Sequence, residues 1–294
     1  CQGILELRAG VLDADLCSAC DRPGHVGTPK NISCDPTIDW DSRSGWKMFE
    51  ATIESIEFDT AVKFDRVQDN SHRDFKIHEV TTNDWIAPKP FSQGAMRATF
   101  AVFNETSNER LVAKRYMNPG PRYNSREALL GDLRSRALSK SMTEKFNRRR
   151  PREAPLYFVQ SSLMRITVEG TETLMTVEPF IAGEYRKESN NRSFAREGSD
   201  VAQAFTHFTH DVSGGDVMVV DIHGVREALT DPQVHSKRQI FGRGNMGPKG
   251  FDSFFMVHQC NHICKSLQLK PNPLQVCNIP LESLGSARPW NLRK

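Results

Sequence analysis

No long apolar run interrupts this sequence. Nowhere does it approach the roughly 18 uninterrupted apolar residues of a membrane helix, and no charged start followed by an apolar core marks a signal peptide. A membrane partner is therefore not expected. Charge of one sign is lacking too: 39 basic side chains face 36 acidic ones, a net charge of +3 over 294 residues. So even a balance gives no electrostatic hold on nucleic acid or an anionic bilayer. Cysteine is scarce and odd in number, seven in all. Cys1, Cys17, Cys20 and Cys34 lie near the start, and Cys260, Cys264 and Cys277 near the end. CxxC-like spacings with histidines nearby suit metal binding in a reducing compartment better than a disulfide framework, so a cytoplasmic setting is expected. The first residue is Cys1 rather than Met, as expected of a piece of something longer.

What is present is ordinary globular material, 38% hydrophobic and 26% charged, enough for a sizeable core. Residues 1–45 carry turn chemistry and little periodicity, as in a loop-rich appendage. Strands are expected at Lys47–Phe58, Phe75–Val80, Met96–Phe103 and Leu111–Tyr116, the last two flanking the polar turn Asn104–Asn108. Asn124 with Glu127 reads as a capping box. Behind it, Leu129, Leu133, Ala137, Leu138, Met142 and Phe146 form a helical stripe, closed by the basic run Arg148 to Arg150, read as a solvated last turn. Further strands fall near Tyr157–Val168, Leu174–Phe180 and Val217–Ile222, with a helix at Asp200–His210 and another helical segment from Phe251 to Leu269. Strands first and helices later make an α+β protein of two lobes.

Three stretches carry chemistry. The strand ending Val219-Val220-Asp221-Ile222-His223-Gly224 delivers Asp221 to a strand terminus, where a carboxylate can hold Mg²⁺. Asp231, ten residues on, can orient a hydroxyl or accept its proton, although an aspartate before Pro232 is equally a turn starter. Phe241-Gly242-Arg243-Gly244-Asn245-Met246-Gly247 contains a GxGxxG string with no βαβ context. It is either a close backbone approach to a phosphate or peptide, or a flexible connector. In His258-Gln259-Cys260-Asn261-His262-Ile263-Cys264 the ligand types suit zinc. Cys260 and Cys264 share one face of an ideal helix and His258 does not, so a site using all three needs a break near His258. His262 competes locally, and His207 or His210 can supply a distant fourth ligand. Buried unpaired thiols are the alternative.

Together these motifs resemble the alpha-kinase family. The resemblance rests on Asp221-Ile-His-Gly-Val, Thr230-Asp-Pro-Gln-Val-His235, the glycine string 241–247, and Phe254-Phe255 with His258-x-Cys260-Asn261-x-x-Cys264, in that order. Upstream, Glu178-Pro179-x-x-x-Gly183-x-Tyr185-x-Lys187, Phe91-x-x-Gly94-Ala95-x-Arg97 and Val112-Ala113-Lys114 match the family's hinge and phosphate region. It covers roughly residues 46–270 and implies a two-lobed atypical protein kinase fold with a zinc-stapled C-lobe. The kinase domain would run over 46–275, N-lobe about 46–177 and C-lobe about 178–275, between an N-terminal extension (1–45) and a tail (276–294).

The activity so implied is transfer of the ATP γ-phosphate to a protein Ser or Thr, with ATP, Mg²⁺ and Zn²⁺ as cofactors. By resemblance, Lys114 and Arg97 bind phosphates, Glu178 receives the adenine amino group, Lys187 lies close to the nucleotide, and Asp221 holds Mg²⁺. Asp231 is the catalytic carboxylate. Gly242, Gly244, Asn245 and Gly247 cover the bound peptide, and His207, His258, Cys260 and Cys264 bind zinc, leaving His210 and His262 as bystanders. One position departs: the family has Gln where this chain has His223. An imidazole there can lower activity, shift the metal preference or make no difference. A nucleotide-binding scaffold without catalysis and an enzyme acting on a small molecule are the rival readings. Cys17 and Cys20 with Cys34 and either Cys1 or His25 form a candidate second zinc clasp.

Overall fold

Twelve-residue strands β1 (Lys47–Phe58) and β2 (Phe75–Ile86) run antiparallel over their whole length, Lys47 opposite Ile86 and Phe58 opposite Phe75. This computed structural model describes residues 38–58, 75–94, 96–118, 120–150, 153–238, 241–242 and 244–276. Cys1, Cys17, Cys20, Cys34 and His25, proposed as a second zinc clasp, lie outside the described residues, as do Cys277, Ala95 and Arg243. β3 (Ser92–Gln93), β4 (Arg97–Asn104) and β5 (Glu109–Tyr116) follow, and β4 and β5 form the expected hairpin.

β6 (Tyr157–Phe158), β7 (Ser162–Val168) and β8 (Thr171–Pro179) come after a long helix. The first sheet has the order β2-β1-β7-β8-β5-β4-β3, and β2 also pairs with β4 through Asp84↔Asn104, Trp85↔Phe103 and Ile86↔Val102. Six antiparallel strands thus close on themselves. Ala51, Ile86, Phe100, Val102, Ala113, Met164, Ile166, Met175 and Val177 form a core on this sheet. Alternation along the strands is what places them on one face.

α1 (Pro121–Asn124) is a single turn and α2 (Arg126–Arg148) the long helix. Its N-cap is Ser125, whose hydroxyl accepts the Ala128 N–H at 3.3 Å. Asn124, expected in that role, instead donates its amide to the carbonyls of Asn118 and Tyr116. The expected stripe is buried, and Leu129, Leu133, Leu138, Met142 and Phe146 pack with Phe205 and Phe208 of α3 (Asp200–Val212). Phe146 meets those two rings at 5.4 and 5.2 Å. Each such side chain contributes about 1.5–3 kcal/mol by burial, so α2 joins the closed sheet to the C-terminal half. The basic run at its end is not simply solvated, since Arg149 and Arg150 lie over Phe208 and Phe146.

The C-terminal half holds two small sheets. β9 (Arg186–Lys187), β11 (His223–Val225) and β12 (Ala228–Leu229) join β6 in the order β6-β12-β11-β9, and β10 (Val217–Val220) pairs with β13 (Gln233–Ser236). The helical segment expected from Phe251 to Leu269 is two helices, α4 (Pro248–Phe255) and α5 (His262–Ser266). Asn261 restarts the helix by accepting the N–H groups of Ile263 and Cys264. Beyond Lys270 the chain forms one turn of helix, α6 (Pro273–Val276). Strand expectations shift as well: β2 runs to Ile86 rather than Val80, Tyr157–Val168 is interrupted at 159–161, and β10 stops at Val220.

Candidate active site and metal cluster

Lys114 on β5 lies opposite Thr176, and Val112 opposite Glu178. Period-two alternation therefore puts Lys114 and Glu178 on one face as diagonal neighbours. The Lys114 ammonium donates to Glu178 Oε1 at 2.5 Å, to Asp231 Oδ2 at 2.8 Å and to Thr230 Oγ1 at 3.1 Å. Arg97, at the start of β4, donates to Asp231 Oδ1, to Asp132 Oδ2 and to the Tyr116 hydroxyl, each at 2.9 Å. Arg136 of α2 donates to Asp231 Oδ1 as well and lies 3.6 Å from Glu178 Oε2. Three cations and three carboxylates thus meet in one network. Asp231 sits in a left-handed turn, φ 48°, a conformation aspartate tolerates better than most residues.

Burial pushes the Asp231 carboxyl upward, but Lys114, Arg136 and Arg97 outweigh it and hold the pKa well below the usual carboxylate range. Glu178 is lowered by the same opposition, burial against Lys114 and Arg136. Asp221, φ 61°, stands just beyond β10. Lys187 reaches its Oδ1 at 2.8 Å, and His223 Nδ1 is 3.7 Å from the same atom. Burial raises the Asp221 pKa, while His223 and Lys187 bring it below the ordinary value.

These groups line a cleft of two adjoining cavities that share Gly94, Arg97 and Asp231. The first, about 260 Å³, has an apolar end of Phe91, Val112, Phe180 and Ile181 beside Lys114 and Glu178. The second, about 250 Å³, is lined by Asp132, Arg136, Asp221, His223 and Gln233. The apolar end can take a flat ring, and Lys114 and Arg97 beside it can exchange their bonds to Asp231 for bonds to anionic groups. Glu178, expected to meet an adenine amino group, has its carboxylate engaged by Lys114, Thr230 and Ser161. The glycine string is pinned down rather than a free connector. Asn245 accepts from the Ser236 and Gly247 N–H groups, and Met246 donates to His235 Nδ1. Gly242, Gly244 and Gly247 all have positive φ. A Cβ on Gly244 would fall 2.1 Å from Gln233 Oε1, so the loop lies against the cleft wall.

Sequence reasoning missed Arg136, Asp132, Tyr116, Ser161 and the role of Thr230. Thr230 stands beside Asp231 and could have been suspected from that; no local signal marks the others.

The cysteine–histidine residues come together about the helix break. His207 on α3, His258 beyond α4, Cys260 and Cys264 place their ligand atoms within 4.8 Å of one another. His258 Nε2 is 3.1 Å from His207 Nδ1, Cys260 Sγ is 3.8 Å from the latter, and Cys264 Sγ is 3.7 Å from His258 Nε2. Tetrahedral zinc with bonds of about 2.1–2.3 Å separates its ligands by roughly 3.4–3.8 Å, so the group can hold such an ion. Burial lowers both imidazoles, His258 to about 4 with His207 adding to the effect, and raises the Cys264 thiol to about 11. Neutral imidazoles are ready ligands, and a cation beside Cys264 would favour its thiolate. His210 packs on Phe251 and Phe255, and exposed His262 stands 3.9 Å from Asp200; neither joins the group.

Cations gathered around an aspartate, next to an apolar slot, make a cleft for an anionic ligand with a flat end. The alpha-kinase family matches residues 92–264. Alpha-protein kinase 1 of Dictyostelium discoideum is 36% identical over 187 residues, 62% of this chain and 14% of the relative. Eukaryotic elongation factor 2 kinase of Homo sapiens is 33% identical over 215 residues, 66% of this chain and 29% of the relative. The crystal structure of the alpha-kinase domain of myosin heavy chain kinase A with ADP superposes with a TM-score of 0.63 at 25% identity, over 76% of this chain and 97% of that domain. The chain belongs to the alpha-kinase family, a family of protein kinases, and its matched region spans less than a third of either curated relative.

Proposed function

We propose that this chain is an ATP-dependent protein kinase that transfers the γ-phosphate to a Ser or Thr hydroxyl. The observation that carries the reading is the convergence of Lys114, Arg97 and Asp231, residues from β4, β5 and a distant turn, on one cleft with an apolar end. The solved relative bound to ADP supports the choice of nucleotide. Phosphate oxygens draw Lys114 and Arg97 away from Asp231, because charge-assisted bonds to a triphosphate replace those to one carboxylate. Asp231 is then free to orient the acceptor hydroxyl. Its task there is orientation, which suits a loose transition state that asks for positioning and charge stabilisation more than proton removal. Asp221 would hold Mg²⁺, which would supply neutralisation of the phosphate charge. His207, His258, Cys260 and Cys264 would hold zinc, which would fix α3 and α5 together with the segment between α4 and α5 and take no part in the transfer.

Incorporation of labelled phosphate into the protein itself and into Ser/Thr peptides, compared among wild type, Asp231→Ala and Lys114→Ala, tests the reading. Labelling by wild type alone is expected. Equal labelling by all three would remove this cleft from the reaction, and label on metabolites but never on protein would make the acceptor a small molecule.

A further inference from the structure

His223 stands beside Asp221 in the second cavity. It is 6% exposed, its Nδ1 makes no hydrogen bond, and that atom faces Asp221 Oδ1 at 3.7 Å. A buried imidazole nitrogen whose nearest carboxylate oxygen is beyond normal hydrogen-bond length is costly unless something else meets it. The fold holds it there. β9–β11 pairing sets His223 opposite Lys187, the Thr230 N–H donates to the His223 carbonyl at 3.0 Å, and the Tyr185 ring packs on the imidazole at 5.4 Å. Gln233 lines the same cavity as Asp221 and His223, and its Oε1 is a further buried acceptor without a hydrogen bond. Asp221, His223 and Gln233 thus line one cavity, and the carboxylate oxygen and imidazole nitrogen of the first two face each other within it. Donors 3.7 Å apart are within reach of one ion with ligand distances of about 2.1 Å.

Nitrogen in such a set decides which ion it favours. Mg²⁺ takes oxygen donors and gives up its water reluctantly, whereas imidazole adds affinity for divalent transition ions. We propose that Asp221 and His223 form a mixed oxygen–nitrogen site that binds Mn²⁺ in preference to Mg²⁺. The ion takes the place on Asp221 Oδ1 that the Lys187 ammonium holds at 2.8 Å, so ion and ammonium compete. Its role beside a nucleotide rests on the function proposed above; its binding does not, and is measured without nucleotide.

Zinc-loaded protein is titrated with MnCl₂, free Mn²⁺ is read by electron paramagnetic resonance, and Mg²⁺ is added as competitor. His223→Gln, which keeps an oxygen donor, lowers Mn²⁺ affinity about tenfold or more and leaves Mg²⁺ affinity nearly unchanged. Lys187→Met raises affinity for both ions. Spin-echo spectra of the wild-type complex show coupling to imidazole nitrogen, a readout that needs no variant to fold. Absence of that coupling, or Mn²⁺ affinity unchanged in a folded His223→Gln protein, overturns the site. Nitrogen-coupled Mn²⁺ in a protein that transfers no phosphate with any ion would leave this site standing and overturn the proposed function.

Discussion

Replacing Arg136 by Met probes the charge network where it is most enclosed. The Arg136 side chain is 5% exposed and that of Glu178 3%, while Asp231 opens to the cleft at 26%. Arg97, Lys114 and Arg136 balance Asp132, Glu178 and Asp231. Arg136→Met keeps much of the volume and removes one positive charge, leaving the network one negative charge in excess. Removing one partner of a buried pair costs about 3–5 kcal/mol, and the partial exposure of Asp231 places this case near the lower end. For a domain of this size about 3 kcal/mol lowers the melting temperature by roughly 6–12 °C. The sign with pH follows from the carboxylates. Asp231 and Glu178 have folded pKa values below their unfolded ones, so their stabilisation is present above an unfolded pKa of about 4 and lost as pH falls through the folded values. The penalty of Arg136→Met is therefore largest near neutrality and shrinks in acid. Adding Glu178→Gln restores the balance and recovers at least part of the loss. Urea unfolding followed by circular dichroism, variant against wild type at each pH, reads all three effects. A variant within about 1 kcal/mol of wild type at neutral pH, or a penalty independent of pH, would refute the reasoning.

Asp84 gives the opposite sign: it is fully buried, its Oδ1 has no partner, and burial raises its pKa against the bond from Thr82. Its ionisation penalises the folded state as pH rises through about 4, so Asp84→Asn should stabilise at neutral pH by on the order of 1 kcal/mol and give no gain in acid; equal gains at both pH values would contradict this. Cys264→Ala should leave the folded protein with substoichiometric zinc by elemental analysis, and chelation of wild type should lower its melting temperature; full zinc content in the variant would reject the assigned ligand. A Cβ on Gly224 would lie 2.0 Å from the Ala228 carbonyl oxygen, so Gly224→Ala should cost at least about 2 kcal/mol and disturb the hairpin that carries His223 and Thr230, as a lowered urea midpoint would show.

The long strands and α2 were legible because alternation and a 3.6-residue stripe survive whatever packs against them. Edges were less so. Ser125 and Asn124 are adjacent and both good caps, and only the backbone path decides between them. The break between α4 and α5 was written in Asn261, a strong N-cap inside an apolar segment, and a site joining His258 to Cys260 and Cys264 required one near His258. Lys114, Asp221 and Asp231 could be read from motif order, since each lies in a local string. Arg136 could not: its burial depends on α2 lying along a cleft whose other walls are 40 to 95 residues away in sequence, and no local pattern carries that. Asp132 and Tyr116 were missed for the same reason.

Calorimetric titration of an ATP analogue with a non-hydrolysable γ-phosphate, in the presence of Mg²⁺ and then Mn²⁺, tests the central claim most directly. If Lys114 and Arg97 leave Asp231 for the phosphates, Lys114→Ala weakens binding, whereas Asp231→Ala keeps or strengthens it because both cations are already released. Equal affinity in wild type and the two variants would contradict the account.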